Sequence, residues 1–208
     1  MADAVAGPVD YDAIVVAGGR SSRLGAGVDK TRLSVDGQSL LDRVLTAVVD
    51  ARQRVVVGEP RPVVVDAVWA REEPVGGGPA AGVVAGLESV TAPIVMLLAG
   101  DLPHVGAATV HRLLDAIGSG DGAILVDADG RRQHLTCSIV ADALRRSAAT
   151  RATWHDAPMY ELLAPLRLRA VPVHGHEADD IDTPADLSGT YGPGAPHVPD
   201  NSREEKGS

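Results

Sequence analysis

At 208 residues, a formal charge of −9 and 45% hydrophobic content, the chain is long enough for one domain with a sizeable core. The acidity excludes a general binder of nucleic acid or anionic membrane, since such proteins carry a basic face. Aromatics are 2% and Phe is absent, so the core falls to Val, Leu, Ala and Ile, and the single Cys137 excludes an internal disulfide.

Residues 1–10 read as a flexible arm with neither the basic start nor the apolar run of a signal peptide. No window approaches the roughly 20 apolar residues of a membrane span. A cytoplasmic protein is therefore expected, and one cysteine fits a reducing compartment. Tyr11 to Ala17 is apolar and β-branched, as a strand buried on both faces requires. It breaks at Gly18-Gly19 and continues as a stretch that is hydroxylic (Ser21, Ser22), glycine-punctuated (Gly25, Gly27) and basic (Arg20, Arg23, Lys30). Adjacent glycines let main-chain N–H groups converge on one anion, and Arg23 and Lys30 add charge. The reading is a phosphate cradle at the end of the first strand of an α/β domain. Neither the GxxxxGK[ST] nor the GxGxxG spacing is present.

Thr31 to Val35 and the Asp36-Gly37 turn precede Ser39, a predicted N-cap for a helix from Leu40 to about Ala51 striped by Leu41, Val44, Leu45 and Val48. Arg54 to Val57 is the second strand. Val63 to Val65 and Val68 to Ala70 are apolar enough for one or two more. Arg71-Glu72-Glu73-Pro74 leads into a second glycine-rich loop, Gly76-Gly77-Gly78, with Pro79 in the first turn of a helix reaching about Glu88. Pro93 to Ala99 has six apolar residues of seven and reads as the central strand. Asp101 follows it. On position alone its carboxylate either meets a ligand at the strand end or caps the helix beginning near Val105 to Ala108.

A helix striped by Val110, Leu113, Leu114 and Ile117 follows, then a strand at Ala123 to Val126, a turn at Asp129-Gly130 and a returning strand at Gln133 to Val140. His134 on that strand either reaches the site or satisfies a local hydrogen bond. Residues 141–149 read as a helix. Trp154, His155, Met159 and Tyr160 either floor a pocket or seal the core. Leu166 to Val173 is the last strand. His174 and His176, one residue apart, point to opposite faces of a strand, and no third ligand at suitable spacing supports zinc. Thr183-Pro184 starts a short helix. Residues 189–208, rich in Gly, Pro and charge, are expected to be disordered.

Three stretches, AGGRSSRLG followed after a short gap by DK, then GDLP, then DIDTPADL, together resemble the nucleotidyltransferases that act on the molybdenum cofactor. The likeness covers residues 11–188, and GGR with DK is similar to the guanylyltransferase branch. It implies a three-layer, Rossmann-like α/β domain with a mostly parallel sheet. It also implies that Val16, Ala17, Gly18, Gly19, Arg20 and Ser21 wrap a nucleoside triphosphate. Lys30 would contact the phosphates, and Arg23 and Lys30 would stabilise the leaving pyrophosphate. Asp101 would hold Mg²⁺, with Asp182 assisting through water. A carboxylate at Glu72 or Glu73 would lie at the nucleotide site, with the Gly78 turn lining the base pocket.

The implied reaction moves GMP from GTP to the phosphate of molybdopterin and releases pyrophosphate. The implied partners are GTP, molybdopterin and cofactor-delivery or molybdoenzyme proteins, without nucleic acid or membrane. One departure stands out. The guanylyltransferase branch often ends in Asn-x-Asn-Thr-Pro, whereas this chain has Asp180, Asp182, Thr183 and Pro184. The acidic form occurs in the cytidylyltransferase branch and in phospholactate-type guanylyltransferases. Both remain alternatives, as does a catalytically silent nucleotide-binding protein of the same fold. Intact Lys30 and Asp101 argue against silence. GTP is expected over CTP, because oxygens near the Gly76 to Pro79 loop can accept from the guanine N1–H and amino group.

Overall fold

The first strand, β1 (Tyr11–Val16), is buried at every residue, so it must be covered on both faces and flanked on both edges. The computed structural model describes residues 9–17, 30–35, 37–177 and 179 and shows how this is done. A 3-10 helix (Lys30–Arg32) and a small hairpin of β2 (Ser34–Val35) and β3 (Gln38–Ser39) lead into helix α1 (Leu40–Ala47). Then come β4 (Arg54–Val57), β5 (Val68–Ala70), α2 (Gly78–Leu87), β6 (Ile94–Ala99) and α3 (Ala107–Asp115). The chain continues through β7 (Gly122–Val126), β8 (Arg132–Val140), α4 (Ala141–Ala148), α5 (Met159–Leu163) and β9 (Leu168–Pro172).

Seven of these strands form one sheet in the order β5-β4-β1-β6-β8-β7-β9. β1 pairs in parallel with β4 and β6, β4 with β5, and β7 with β9. β8 runs antiparallel to both of its neighbours, β6 and β7. The expected mostly parallel α/β sheet is present, with the apolar run before Gly100 at its centre.

Strand periodicity divides the core into two layers. Ala13, Val15, Val56, Met96, Leu98 and Leu125 pack with α1 and α3 through Leu41, Val44, Leu45, Val110 and Leu113. Ile14, Val16, Val55, Val57, Leu97 and Ile139 pack with α2, α4 and α5 through Val83, Leu87, Leu144 and Leu162. Helices therefore cover both faces, giving three layers. Burial holds the Cys137 thiol in its neutral form, well above the usual range.

Several elements differ in extent from the sequence expectation. The Ser39 side chain accepts from the N–H of Asp42, as a cap does. The helix it starts stops at Ala47 rather than Ala51. Val48, Val49 and Ala51 instead close i→i+3 turns. That tightening places Asp50 to accept from the Tyr11 hydroxyl at 2.5 Å and to meet His111 Nε2 at 2.7 Å. Val63 to Val65 forms no strand. Pro60 and Pro62 withhold donors there, and the Val64 N–H goes to the Asp42 carboxylate at 2.9 Å. The last strand starts at Leu168, because a turn from Leu163 to Leu166 delays it.

Beyond β9 the chain is fastened back onto α3 by Glu177, 6% exposed. Its carboxylate pairs with the Arg112 guanidinium through both oxygens. It also accepts from the Thr109 hydroxyl at 2.5 Å and the His174 N–H at 2.7 Å. Burial alone pushes Glu177 upward, but these hydrogen bonds outweigh it and hold the carboxyl below the usual range. A depressed native value contributes stability above the ordinary carboxylate pKa and loses it as pH falls through the native value. Glu177→Gln is expected to lower the unfolding free energy by about 2 kcal/mol at neutral pH. The difference from wild type shrinks between neutral pH and an acid pH below the depressed native value, where the Glu177 carboxyl is protonated. Urea denaturation at the two pH values checks this, and a deficit that does not change with pH contradicts it.

Candidate active site

Open parallel sheets bind ligands outside the carboxyl ends of their strands, where the order reverses. Here that point lies between β1 and β6. β4 lies on one side of β1 and β6 on the other, with α1 and α2 on opposite faces of the sheet. The carboxyl ends of four strands are laced together by main-chain hydrogen bonds. Gly58 N–H donates to Ala70 O at 3.0 Å, Ala17 N–H to Val57 O at 2.9 Å, and Gly100 N–H to Val16 O at 2.9 Å.

Gly100 is the tight point. A Cβ there would lie 3.2 Å from Ala17 Cα, Ala17 Cβ and Val16 O, all fixed in the sheet. Its absence lets the turn carrying Asp101 close against the end of β1, the strand from which the basic glycine loop departs. Asp101 sits half-buried in that turn. It does not cap α3, whose N-cap is Gly106 without a side-chain hydrogen bond.

The second glycine loop is set by helix α2. Gly82 and Gly86 face the sheet, where a Cβ would lie 3.0 Å from Val57 Cγ1 and from Ile14 Cγ2, respectively. The helix therefore lies close on β1 and β4 and brings its N-terminus to their carboxyl ends. This pair, one turn apart in an otherwise Ala- and Val-rich helix, is a signal of close helix–sheet packing readable in the sequence. Glu72 and Glu73 now separate. Glu72 is half-buried, and its Oε1 accepts from the Gly76 N–H at 3.0 Å, bracing the loop. Glu73 is exposed.

Of the remaining expected site residues, Val16 and Ala17 are buried at the end of β1, and Gly78 opens α2 with a left-handed φ of 84°. Lys30 begins the 3-10 helix that follows the loop, and its neighbour Thr31 receives a hydrogen bond from Arg61. Gly18, Gly19, Arg20, Ser21, Arg23 and Asp182 lie outside the described residues.

The chain that leads toward Asp182 does return to this edge. The His176 ring lies 5.8 Å from that of His104, three residues past Asp101. Burial, then the charge of His176, pushes His104 below the ordinary imidazole value, with Arg43 adding to this and Asp179 opposing it. Thr136 of β8 pairs with Leu98, so the residues preceding it, His134 included, run past the carboxyl end of β6. Burial and then Arg132 hold His134 low, and so neutral at pH 7.

Trp154 and Met159 are core residues, and the Trp154 indole donates to Ala148 O at 2.8 Å. Tyr160 is exposed. A cavity of about 240 Å³ lined by Asp121, Arg146, Ser147 and Thr150 lies at the opposite edge of the sheet, far along the strands from Asp101.

Gly100→Ala is expected to cost about 1–2 kcal/mol, because the clashing atoms are main chain held by two strands. It should also reduce kcat/KM about tenfold by displacing the Asp101 turn. Thermal unfolding and steady-state kinetics test both parts, and a variant with unchanged activity contradicts the placement of the site at this turn.

Comparison with known proteins agrees with this fold. Residues 13–171 match the model of the MobA-like NTP transferase domain. A probable molybdenum cofactor guanylyltransferase of Opitutus terrae is 37% identical over 56% of this chain and 60% of its own length. The molybdenum cofactor guanylyltransferase of Mesorhizobium japonicum is 32% identical over 65% of this chain and 71% of its own. The chain thus spans less than three quarters of either relative. A nucleotidyl transferase structure from Methanothermobacter thermautotroptrophicus superposes with a TM-score of 0.68 at 22% identity, covering 87% of this chain and 95% of that one. It has the same fold. With three quarters of its length matched to the family model, the chain belongs to the MobA-like NTP transferase domain family.

Proposed function

We propose that this protein transfers GMP from GTP to the phosphate of molybdopterin. The observation that carries the reading is the pairing of Val16 with Ala99. It sets Asp101 beside the exit of the strand that feeds the Arg20, Arg23 and Lys30 loop. A phosphate oxygen of the acceptor attacks the α-phosphorus of GTP, the bond between the α-phosphorus and its bridging oxygen breaks, and pyrophosphate leaves. An acceptor phosphate is already ionised at neutral pH, so no strong general base is needed. Such transfers depend on positioning and charge neutralisation. The loop N–H groups, Arg23 and Lys30 hold the triphosphate and stabilise the departing pyrophosphate. The names carried by the curated relatives support this choice of substrates.

The donor set at the strand end fits Mg²⁺. That ion takes hard oxygen ligands and is commonly held by one or two carboxylates together with phosphates and water. Asp101 at the end of β6 would supply one such carboxylate, and Asp182, outside the described residues, is proposed as a second. Among the described residues, no group of three or more His, Cys, Asp or Glu forms a closed metal cage. When bound, Mg²⁺ neutralises charge on the phosphate oxygens. No helix of the described residues is long and apolar enough to cross a membrane. A cytoplasmic setting, with a molybdoenzyme or a cofactor-delivery protein as recipient, completes the proposal.

A second reading, cytidylyl transfer to the same acceptor, is favoured by the acidic Asp180-x-Asp182 ending. The two are separated by calorimetric titration with GTP, CTP and ATP in Mg²⁺, followed by pyrophosphate release in the presence of molybdopterin. GTP is expected to bind most tightly and to turn over; tighter binding of CTP selects the cytidylyl reading. In the same assay Asp101→Asn is expected to lose about a hundredfold or more in kcat. Its melting temperature should change little, because the residue lies outside the core. Near-wild-type turnover in that variant contradicts the assignment of Asp101.

A further inference from the structure

The loop that opens α2 is held from two directions. On one side the Glu72 carboxylate takes the Gly76 N–H at 3.0 Å. On the other, the turn at residues 154–157 docks against Gly77. The Asp156 N–H donates to the Gly77 carbonyl at 2.8 Å. The His155 ring lies so close that a Cβ on Gly77 would meet its Nδ1 at 2.8 Å and Ala81 Cβ at 3.0 Å. Glycine at 77 is therefore what admits the imidazole.

The docking turn is itself braced. The Ala157 N–H closes onto Trp154 O at 3.1 Å. Trp154 is 5% exposed, donates to Ala148 O at 2.8 Å, and carries the Arg151 guanidinium 4.9 Å from its ring centre. Asp156 adopts a left-handed backbone with φ 56°, the one non-glycine residue with positive φ among those described. Such conformations are disfavoured for side-chain-bearing residues and persist where the surroundings over-determine them. Here the strain falls on the residue whose N–H holds the glycine loop.

We propose that the Trp154–Ala157 turn is a positioning element of the nucleotide site. Within it, His155 fixes Gly77 and through it the loop that meets the base. This rests on the reading of the Gly76–Gly78 loop as part of a nucleotide pocket. The physical ground is preorganisation. With the Gly76 donor and the Gly77 acceptor already engaged, the main chain of the loop is held in one conformation. A site discriminates between bases through hydrogen bonds only when its partners are held in place. His155 acts through the loop, so its removal loosens nucleotide binding and selectivity and leaves the chemical step intact.

The test uses the full chain as wild type, His155→Ala, His155→Asn, Gly77→Ala and the Gly77→Ala/His155→Ala double variant. GTP and CTP are titrated calorimetrically, and kcat, KM and Tm are measured alongside. His155→Ala is expected to weaken GTP binding about five- to tenfold and to narrow the GTP-to-CTP ratio. Its kcat at saturating GTP should stay within about twofold and its Tm within about 2 °C. His155→Asn, whose planar side chain fills part of the same space beside Gly77, recovers part of the loss. Gly77→Ala weakens binding at least as much, and adding His155→Ala to it costs little more, since the contact is already broken. Wild-type protein that binds GTP, paired with unchanged affinity and selectivity in His155→Ala, overturns the positioning role alone. So does a loss that tracks Tm and kcat together. Wild-type protein that binds neither nucleotide overturns the reading of the site and this proposal with it.

Discussion

The hydrogen bond from Gly100 N–H to Val16 O, at 2.9 Å, is the constraint on which the rest depends. It closes β6 against β1 at the carboxyl edge, and a side chain at Gly100 would press on Ala17 from 3.2 Å. At the other end of β1, the buried Asp12 carboxylate receives the N–H groups of Thr91 and Ala92 at 2.7 and 2.9 Å, holding the approach to β6. β1 is thereby fixed to the same neighbour at both ends. The end of β1 and the turn leaving β6 then have little freedom to separate. A transfer reaction that works by alignment needs that fixity more than it needs any one reactive side chain.

The charge distribution follows the same logic. The chain carries a net −9, yet Arg20, Arg23 and Lys30 fall within one eleven-residue stretch after β1. A local basic loop on an acidic protein attracts a polyanionic ligand without the broad basic face that would collect nucleic acid. Asp101, of opposite sign, follows β6, whose Ala99 pairs with Val16 at the end of β1. On the proposed reading, these opposite signs suit a metal–triphosphate complex. They suit a bare anion or a bare cation less well.

Much of this was legible in sequence because it is local. The run before Gly100 contains nothing but apolar side chains after Pro93, and only a central strand can bury such a run. Ser39 announces α1 through a hydrogen bond three residues away. Asp101 could be placed because a strand end is a sequence-local feature. What escaped was fixed by tertiary contact. The end of α1 is decided by Tyr11 and His111, which reach Asp50 from distant segments. Glu72 and Glu73 are equivalent on paper and are distinguished only by which one lies under the Gly76 loop. In sequence, Trp154, His155, Met159 and Tyr160 read as one group that floors a pocket or seals the core. The fold scatters them instead: Trp154 and Met159 enter the core, Tyr160 faces solvent and His155 meets Gly77. No local pattern encodes a contact between residues 77 and 155.

The most direct measurement is a crystal structure of this protein with a non-hydrolysable GTP analogue and Mg²⁺. The account places the triphosphate along the loop that leaves β1, the α-phosphorus facing Asp101, and the guanine against the Gly76–Gly78 loop. A nucleotide seated elsewhere contradicts it. So does binding in the cavity between α4 and the start of β7, or a base turned away from the α2 loop.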